Sequence, residues 1–178
     1  MEESPEKLNR QAFEFASRGE YDEAIACLKK AIEIEKYNYL LWFNLGVIYR
    51  DAGKLEESIS ALLQANKIND EDEDVIETIA LVYFSLGDIE QALYYCKEGL
   101  SLNFMNAHIW NTLGVIFFNQ DDYEMAADSF EHAITINPYY YDALYNLRDT
   151  YDELGNEVGK RQIIEQMKNV SESGKQNA

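Results

Sequence analysis

Apolar residues recur along the chain in pairs of runs with helical spacing. One pair lies at 42–65, where Trp42 opens the first run, Gly53 interrupts the pattern and Leu62 belongs to the second run. The same layout returns 34 residues earlier and 34 residues later. This period predicts a tandem array of helical hairpins, because a single hairpin leaves an apolar face that only a neighbouring hairpin can cover.

Small residues mark the turns and the helix contacts of the repeat. The turn positions hold Gly19, Gly53, Gly87, Asp121 and Gly155. A helix end often needs a left-handed backbone, which glycine adopts freely and aspartate tolerates better than most residues. Within the hairpins, the pairs Gly46 with Ser58 and Gly114 with Ala126 predict that the two helices approach closely.

The period and the layout resemble the tetratricopeptide repeat family. The best-matching unit contains Trp110, Leu113, Gly114, Phe117, Ala126, Phe130, Ala133 and Pro138. The resemblance implies an all-α, right-handed superhelical solenoid of stacked helix-turn-helix repeats. It covers residues 1–172 as a single array with units at about 5–38, 39–72, 73–106, 107–140 and 141–172. The last unit is expected to be a degenerate cap, since Arg148 and Lys160 replace small residues, and 173–178 to be a disordered tail.

The composition restricts the class of partner. The net charge of −18 argues against nucleic acid and anionic lipid, because phosphate binding depends on clustered Lys and Arg. A basic partner is compatible with this charge. No apolar stretch approaches the roughly 18 residues of a membrane span, and the first ten residues carry no apolar signal segment. A cytoplasmic protein is therefore expected.

The sequence lacks the common motifs of catalysis and of cofactor binding. It contains no HExxH, CxxC, Walker loop, GxSxG or dinucleotide glycine pattern. Asp70, Asp72 and Asp74 have the alternating spacing of a calcium loop, but Val75 stands where that loop needs glycine. Their carboxylates instead favour the N-terminus of the next helix. We expect no catalytic activity, no cofactor and no metal.

The resemblance also predicts a binding surface. In this family the first helix of each unit lines the concave face of the superhelix. The residues assigned to this groove are Phe13, Phe43, Asn44, Val47, Arg50, Leu81, Phe84, Asn111, Val115, Phe118, Tyr145 and Asn146. The apolar members would form a track across the middle three units. The acids expected to steer a cationic partner are Asp142, Asp149, Asp152 and Glu153.

The sequence leaves two features of this groove open. The apolar side chains either form an exposed interaction site or pack against one another and the termini. The amides of Asn44, Asn111 and Asn146 either hold a peptide backbone or bond within the scaffold.

One known use of the family is excluded by the sequence. A carboxylate clamp for acidic chaperone tails needs cations at three positions across three consecutive first helices. In the three possible registers these positions hold Asn9, Asp74 and Thr78, then Phe43, His108 and Thr112, then Glu77, Asp142 and Asn146. A protein that binds chaperone tails through this clamp is therefore not expected.

The resulting hypothesis is a non-catalytic scaffold or adaptor. It binds an apolar, basic peptide or helix in its concave groove, with the acids steering the partner. The alternatives are a self-association module that builds a homo-oligomer and a non-catalytic subunit of a larger complex.

Overall fold

All regular elements in the described part of the chain are α-helices. The computed structural model describes residues 4–176, with side chains for 4–170. The helices are α1 (Pro5–Ala16), α2 (Tyr21–Ile34), α3 (Tyr39–Asp51), α4 (Leu55–Ile68), α5 (Glu73–Leu86), α6 (Ile89–Leu102), α7 (Ala107–Phe118), α8 (Tyr123–Ile136), α9 (Tyr141–Glu153) and α10 (Glu157–Gln176). Odd-numbered helices are the first helices of the predicted hairpins and even-numbered helices are the second. The predicted all-α class is confirmed.

The turns within the hairpins use the predicted residues. All four turn glycines have positive φ, as at Gly53 with φ 73°. Asp121 has φ 59° and is the one residue other than glycine with positive φ in the described range. Its Oδ1 accepts a hydrogen bond from the Tyr123 hydroxyl at 2.9 Å. The turn positions predicted from the sequence are therefore confirmed, including the one that holds aspartate.

The acidic run 70–74 supplies a helix cap. Asp72 is the N-cap of α5, and its Oδ1 accepts from the backbone N–H of Val75 at 3.1 Å. Its Oδ2 accepts from the Tyr39 hydroxyl at 2.9 Å, and this hydrogen bond raises the pKa of Tyr39. A capping carboxylate satisfies a backbone donor that has no partner within the helix. The predicted role of the run at the start of the next helix is confirmed for Asp72.

Two glycines allow the helices of a hairpin to approach closely. Gly46 of α3 is buried, its carbonyl accepts from the Ser58 hydroxyl at 2.7 Å, and a Cβ there would lie 2.6 Å from Leu62 Cγ. At Gly114 of α7, a Cβ would lie 2.5 Å from Phe130 Cε1. Side chains of α4 and α8 thus occupy the space that a larger residue on the first helix would need. The predicted close contacts are confirmed.

The chain divides into two compact units, with the boundary between Tyr95 and Cys96 inside α6. In the first unit, each of α1 to α4 packs against the next helix along the chain. Its core contains Leu8, Leu28 and Leu45 between α1, α2 and α3. A second cluster between α4 and α5 includes Leu62 and Ile79. Packing between consecutive elements is typical of a repeat protein.

The second unit is built in the same way from α7 to α10, each packed against the next. Phe130 of α8, Leu147 of α9 and Met167 of α10 lie in one buried cluster. The α9–α10 pair therefore contributes fully buried side chains to the core of this unit. The sequence predicted a disordered tail from residue 173, but α10 includes residues 173–176. No proline interrupts the helix there. Residues 177–178 lie outside the described residues.

Candidate functional site

The predicted groove residues of the first unit lie on its first helices, α1, α3 and α5. Phe13 is exposed at 46% of its surface. The others are half-buried, namely Phe43, Asn44, Val47, Arg50, Leu81 and Phe84. Phe43 also packs against the cluster between α4 and α5, so part of its ring belongs to the core. Packing within the scaffold, one of the two arrangements left open by the sequence, is thus seen for Phe43, while the half-buried residues keep part of their surface accessible.

Asparagine pairs link neighbouring first helices in each unit. Asn44 Nδ2 of α3 donates to Asn9 Oδ1 of α1 at 2.9 Å. In the second unit, Asn146 Nδ2 of α9 donates to Asn111 Oδ1 of α7 at 3.0 Å. Each bond uses one of the two N–H groups of the donor amide. The amides of Asn44, Asn111 and Asn146 thus bond within the scaffold.

The second unit has a cavity at its predicted groove residues. It has a volume of about 130 Å³ and is lined by Val115, Phe118, Asn119, Phe130, Asn146 and Asp149. Four of these six, Val115, Phe118, Asn146 and Asp149, belong to the predicted groove or steering set. The remaining predicted residues are Asn111, which is half-buried, and Tyr145, which is 47% exposed. We name this feature the α7–α9 cavity.

The acids of α9 are partly neutralised by cations of the same unit. Asp149 Oδ1 accepts from Arg148 at 2.8 Å (Nε) and 2.6 Å (Nη2), which raises the pKa of Arg148. Asp152 Oδ1 accepts a hydrogen bond from Lys160 Nζ, which raises the pKa of Lys160. Asp142 and Glu153 are exposed and form no ion pair with a described residue. The predicted group of four steering carboxylates is therefore reduced to two unpaired ones.

Sequence reasoning missed a larger cavity in the first unit. It lies between the second helices α2 and α4, over α3, and has a volume of about 610 Å³. Its apolar lining comes from Ile32, Trp42, Leu45, Tyr49 and Ala61. We name it the Trp42 cleft. The available signal was the contrast between Trp42 and Trp110, which occupy the same repeat position but have different neighbours.

Comparison with family models assigns the repeat. A model described as TPR repeat matches residues 14–49, and two described as tetratricopeptide repeat match 39–72 with 74–104 and 107–140. The chain belongs to the tetratricopeptide repeat family. Tetratricopeptide repeats are in general a non-catalytic protein-interaction fold, so the chain is a protein-interaction scaffold in this broad sense. The α9–α10 pair lies beyond the last matched residue of these segments.

Solved structures of other tetratricopeptide repeat proteins have the same helical-repeat fold. A tetratricopeptide repeat protein from Parabacteroides merdae is 25% identical, with a TM-score of 0.76 over 96% of this chain and 67% of that chain. PilF from Pseudomonas aeruginosa is 15% identical, with a TM-score of 0.81 over 93% and 76%. YrrB, described as a protein with an unusual peptide-binding site, is 20% identical, with a TM-score of 0.66 over 92% and 84%.

A search by sequence against curated proteins finds no match. None of the helices within residues 4–176 combines the length and the hydrophobicity needed to cross a bilayer.

Proposed function

We propose that this tetratricopeptide repeat protein is an adaptor that captures an apolar, basic peptide or helix on its first-helix faces. The observation that carries the proposal is the α7–α9 cavity, where residues predicted for binding converge around an open space. Peptide binding by the related YrrB supports the ligand class, although at 20% identity that likeness extends to the fold alone.

The lining of the α7–α9 cavity suits a single apolar side chain. Val115, Phe118 and Phe130 provide apolar walls, and a cavity of roughly 150 Å³ elsewhere accommodates benzene. The Asn146 amide and the Asp149 carboxylate lie at the same opening. Their oxygen atoms can accept a hydrogen bond from a peptide N–H beside the apolar side chain.

The charge of the protein supports a basic ligand. The net charge is −18, and Asp142 and Glu153 remain unpaired on α9 of the second unit. Carboxylates near a binding surface raise the association rate of a cationic partner and have a smaller effect on its dissociation. The ligand is therefore expected to carry Lys or Arg next to its apolar anchor.

Selection from a random peptide library displayed on phage tests this proposal. Peptides enriched on the wild-type protein are expected to combine an aliphatic or aromatic residue with neighbouring Lys or Arg. Phe118→Ala should weaken their binding about tenfold or more, since covering one aromatic ring contributes roughly 1.5–3 kcal/mol. Calorimetric titration measures the affinity, and far-UV circular dichroism checks the fold.

Tyr139→Ala is the matched control, because Tyr139 is a 69% exposed aromatic residue that does not line the α7–α9 cavity. It should leave the affinity unchanged. Enrichment of acidic peptides, or equal affinity in wild type and Phe118→Ala, contradicts the proposal. A wild-type protein that doubles its mass with concentration and enriches no peptide favours self-association instead.

The two unpaired carboxylates give a separate kinetic prediction. Asp142→Asn combined with Glu153→Gln should slow association with a selected basic peptide at least roughly twofold at low salt and reduce its salt dependence. Dissociation should change little. Stopped-flow measurements at several salt concentrations provide the comparison, and association kinetics equal to wild type would exclude steering by these residues.

A further inference from the structure

Trp42 and Trp110 hold the same position in two repeats and are oriented by the same hydrogen bond. Trp42 Nε1 donates to the carbonyl of Lys36 at 2.9 Å. Trp110 Nε1 donates to the carbonyl of Phe104 at 2.8 Å. Both indole rings are thus fixed by a bond to a residue six positions earlier. Any difference in what covers the two rings must come from the surrounding side chains.

The ring of Trp110 is covered by aromatic side chains of its own unit. His132 of α8 stacks on it with ring centroids 4.3 Å apart and planes 19° apart. Phe104 contacts the indole edge-on at 5.1 Å. These arrangements are the ones that aromatic pairs prefer. The second unit therefore provides an example, within this protein, of a ring bound over this tryptophan position.

The ring of Trp42 lacks these partners. Gln64 replaces His132, and Lys36 replaces Phe104, at the corresponding positions 68 residues earlier. Within the described part of the chain, no aromatic ring stacks on Trp42. The space is instead the Trp42 cleft of about 610 Å³, with Leu45 and Ala61 among its lining residues. It is thus an apolar site with room for a ring that none of the described side chains supplies.

The rim of the Trp42 cleft is acidic. Glu33 lies on the α2 side, and Glu56 and Glu57 lie on the α4 side. Lys29 is the opposing cation among the lining residues, and its Nζ lies 5.8 Å from the centroid of the Tyr49 ring. Three carboxylates against one ammonium group favour a ligand that carries positive charge beside its apolar part.

We propose that the Trp42 cleft binds an aromatic side chain of a basic peptide, with its ring stacked on Trp42 as His132 is stacked on Trp110. Lys or Arg next to the aromatic residue would meet the glutamates of the rim. This site lies on the second-helix side of the first unit. The proposal therefore does not depend on peptide capture at the α7–α9 cavity.

Three synthetic pentapeptides test the site on the full-length protein. The probe is acetyl-Gly-Lys-Phe-Lys-Gly-amide, the ring-free control has Leu in place of Phe, and the charge control has Glu in place of both Lys. Two-dimensional ¹H–¹⁵N spectra report on the indole N–H groups of Trp42 and Trp110. The Phe peptide should shift the Trp42 signal saturably and bind about fivefold more tightly than the Leu peptide. The Glu peptide should bind more weakly still.

Gln64→His is the decisive variant, because it places on α4 the side chain that covers Trp110. The new imidazole should stack on Trp42, fill the cleft and lower the affinity for the Phe peptide at least roughly fivefold. Gln64→Asn is the matched control, since it keeps an amide at this exposed position and should bind like wild type. Circular dichroism confirms that both variants fold.

Four outcomes would overturn the proposal. They are equal affinity for the Phe and Leu peptides, a shift confined to the Trp110 signal, undiminished binding by Gln64→His, and absence of any shift at Trp42. Concentration-dependent dimerisation that Gln64→His abolishes would identify a second copy of the chain as the occupant. Loss of binding at the α7–α9 cavity has no bearing on these results.

Discussion

Gly114→Val is expected to lower the free energy of unfolding by about 3 kcal/mol, because a side chain there has no space. Its Cβ would lie 2.5–2.8 Å from three atoms of the Phe130 ring, which is itself 1% exposed. The Phe130 ring lies in a buried cluster with Leu147 and Met167, so it cannot move aside without disturbing that packing. The gain in helix propensity on replacing glycine, at most about 1 kcal/mol, does not offset this clash.

Urea denaturation followed by circular dichroism measures the effect. Thr135→Val, an exposed substitution on α8, is the control and should stay within about 0.5 kcal/mol of wild type. Phe130→Leu removes the ring atoms involved, so the combination with Gly114→Val should cost at least about 0.5 kcal/mol less than the sum of the two single changes. Simple additivity would show that Gly114 and Phe130 are not in the contact described.

Leu147→Ala is expected to cost about 2–5 kcal/mol, the range for truncating a fully buried leucine. Leu147 of α9 is 0% exposed and lies in one cluster with Phe130 of α8 and Met167 of α10. The substitution therefore tests whether the fifth helix pair is part of the core of the second unit. Its free energy of unfolding can be measured by the same denaturation method.

Glu153→Ala, on the exposed side of α9, is the matched control for Leu147→Ala and should change stability by less than about 0.5 kcal/mol. A cost below about 1 kcal/mol for Leu147→Ala would mean that α9 and α10 contribute little to the core. In that case the pair would be a loosely attached appendage, despite its buried leucines.

The repeat period predicted most of the local structure. Spacing alone identified the turn residues, including Asp121, and the close contacts at Gly46 and Gly114. These features are local, since a turn or a small residue opposite a large one has the same cause in every repeat. The array of helical hairpins followed from the period, and the resemblance to the tetratricopeptide repeat family supplied the fold class.

The sites were less predictable because they depend on individual side chains. Sequence reasoning treated Asp149 and Asp152 as free charges, whereas Arg148 and Lys160 neutralise them. The positions of these cations were visible in the sequence, but the conformations that bring them to the carboxylates were not. The charge that a binding surface presents to a partner therefore depends on the ion pairs of each charged side chain and does not follow from the composition alone.

The Trp42 cleft illustrates a second limit. Its opening depends on Gln64 standing where His132 stands in another repeat, a difference that alters neither the period nor the hydrophobic pattern. A search for similarity between repeats passes over such a position. A comparison of the residues that differ between equivalent repeat positions would have found the cleft, once Trp42 and Trp110 were known to be held by equivalent hydrogen bonds.

Methyl-selective NMR of Val115 tests the central claim most directly, because this residue lines the α7–α9 cavity. The protein is labelled at valine methyl groups and titrated with a peptide selected from the library. Capture on the first-helix face predicts a saturable shift of the Val115 methyl signals, with the same dissociation constant that calorimetry gives. Saturable peptide binding that leaves the Val115 signals unmoved would contradict the account.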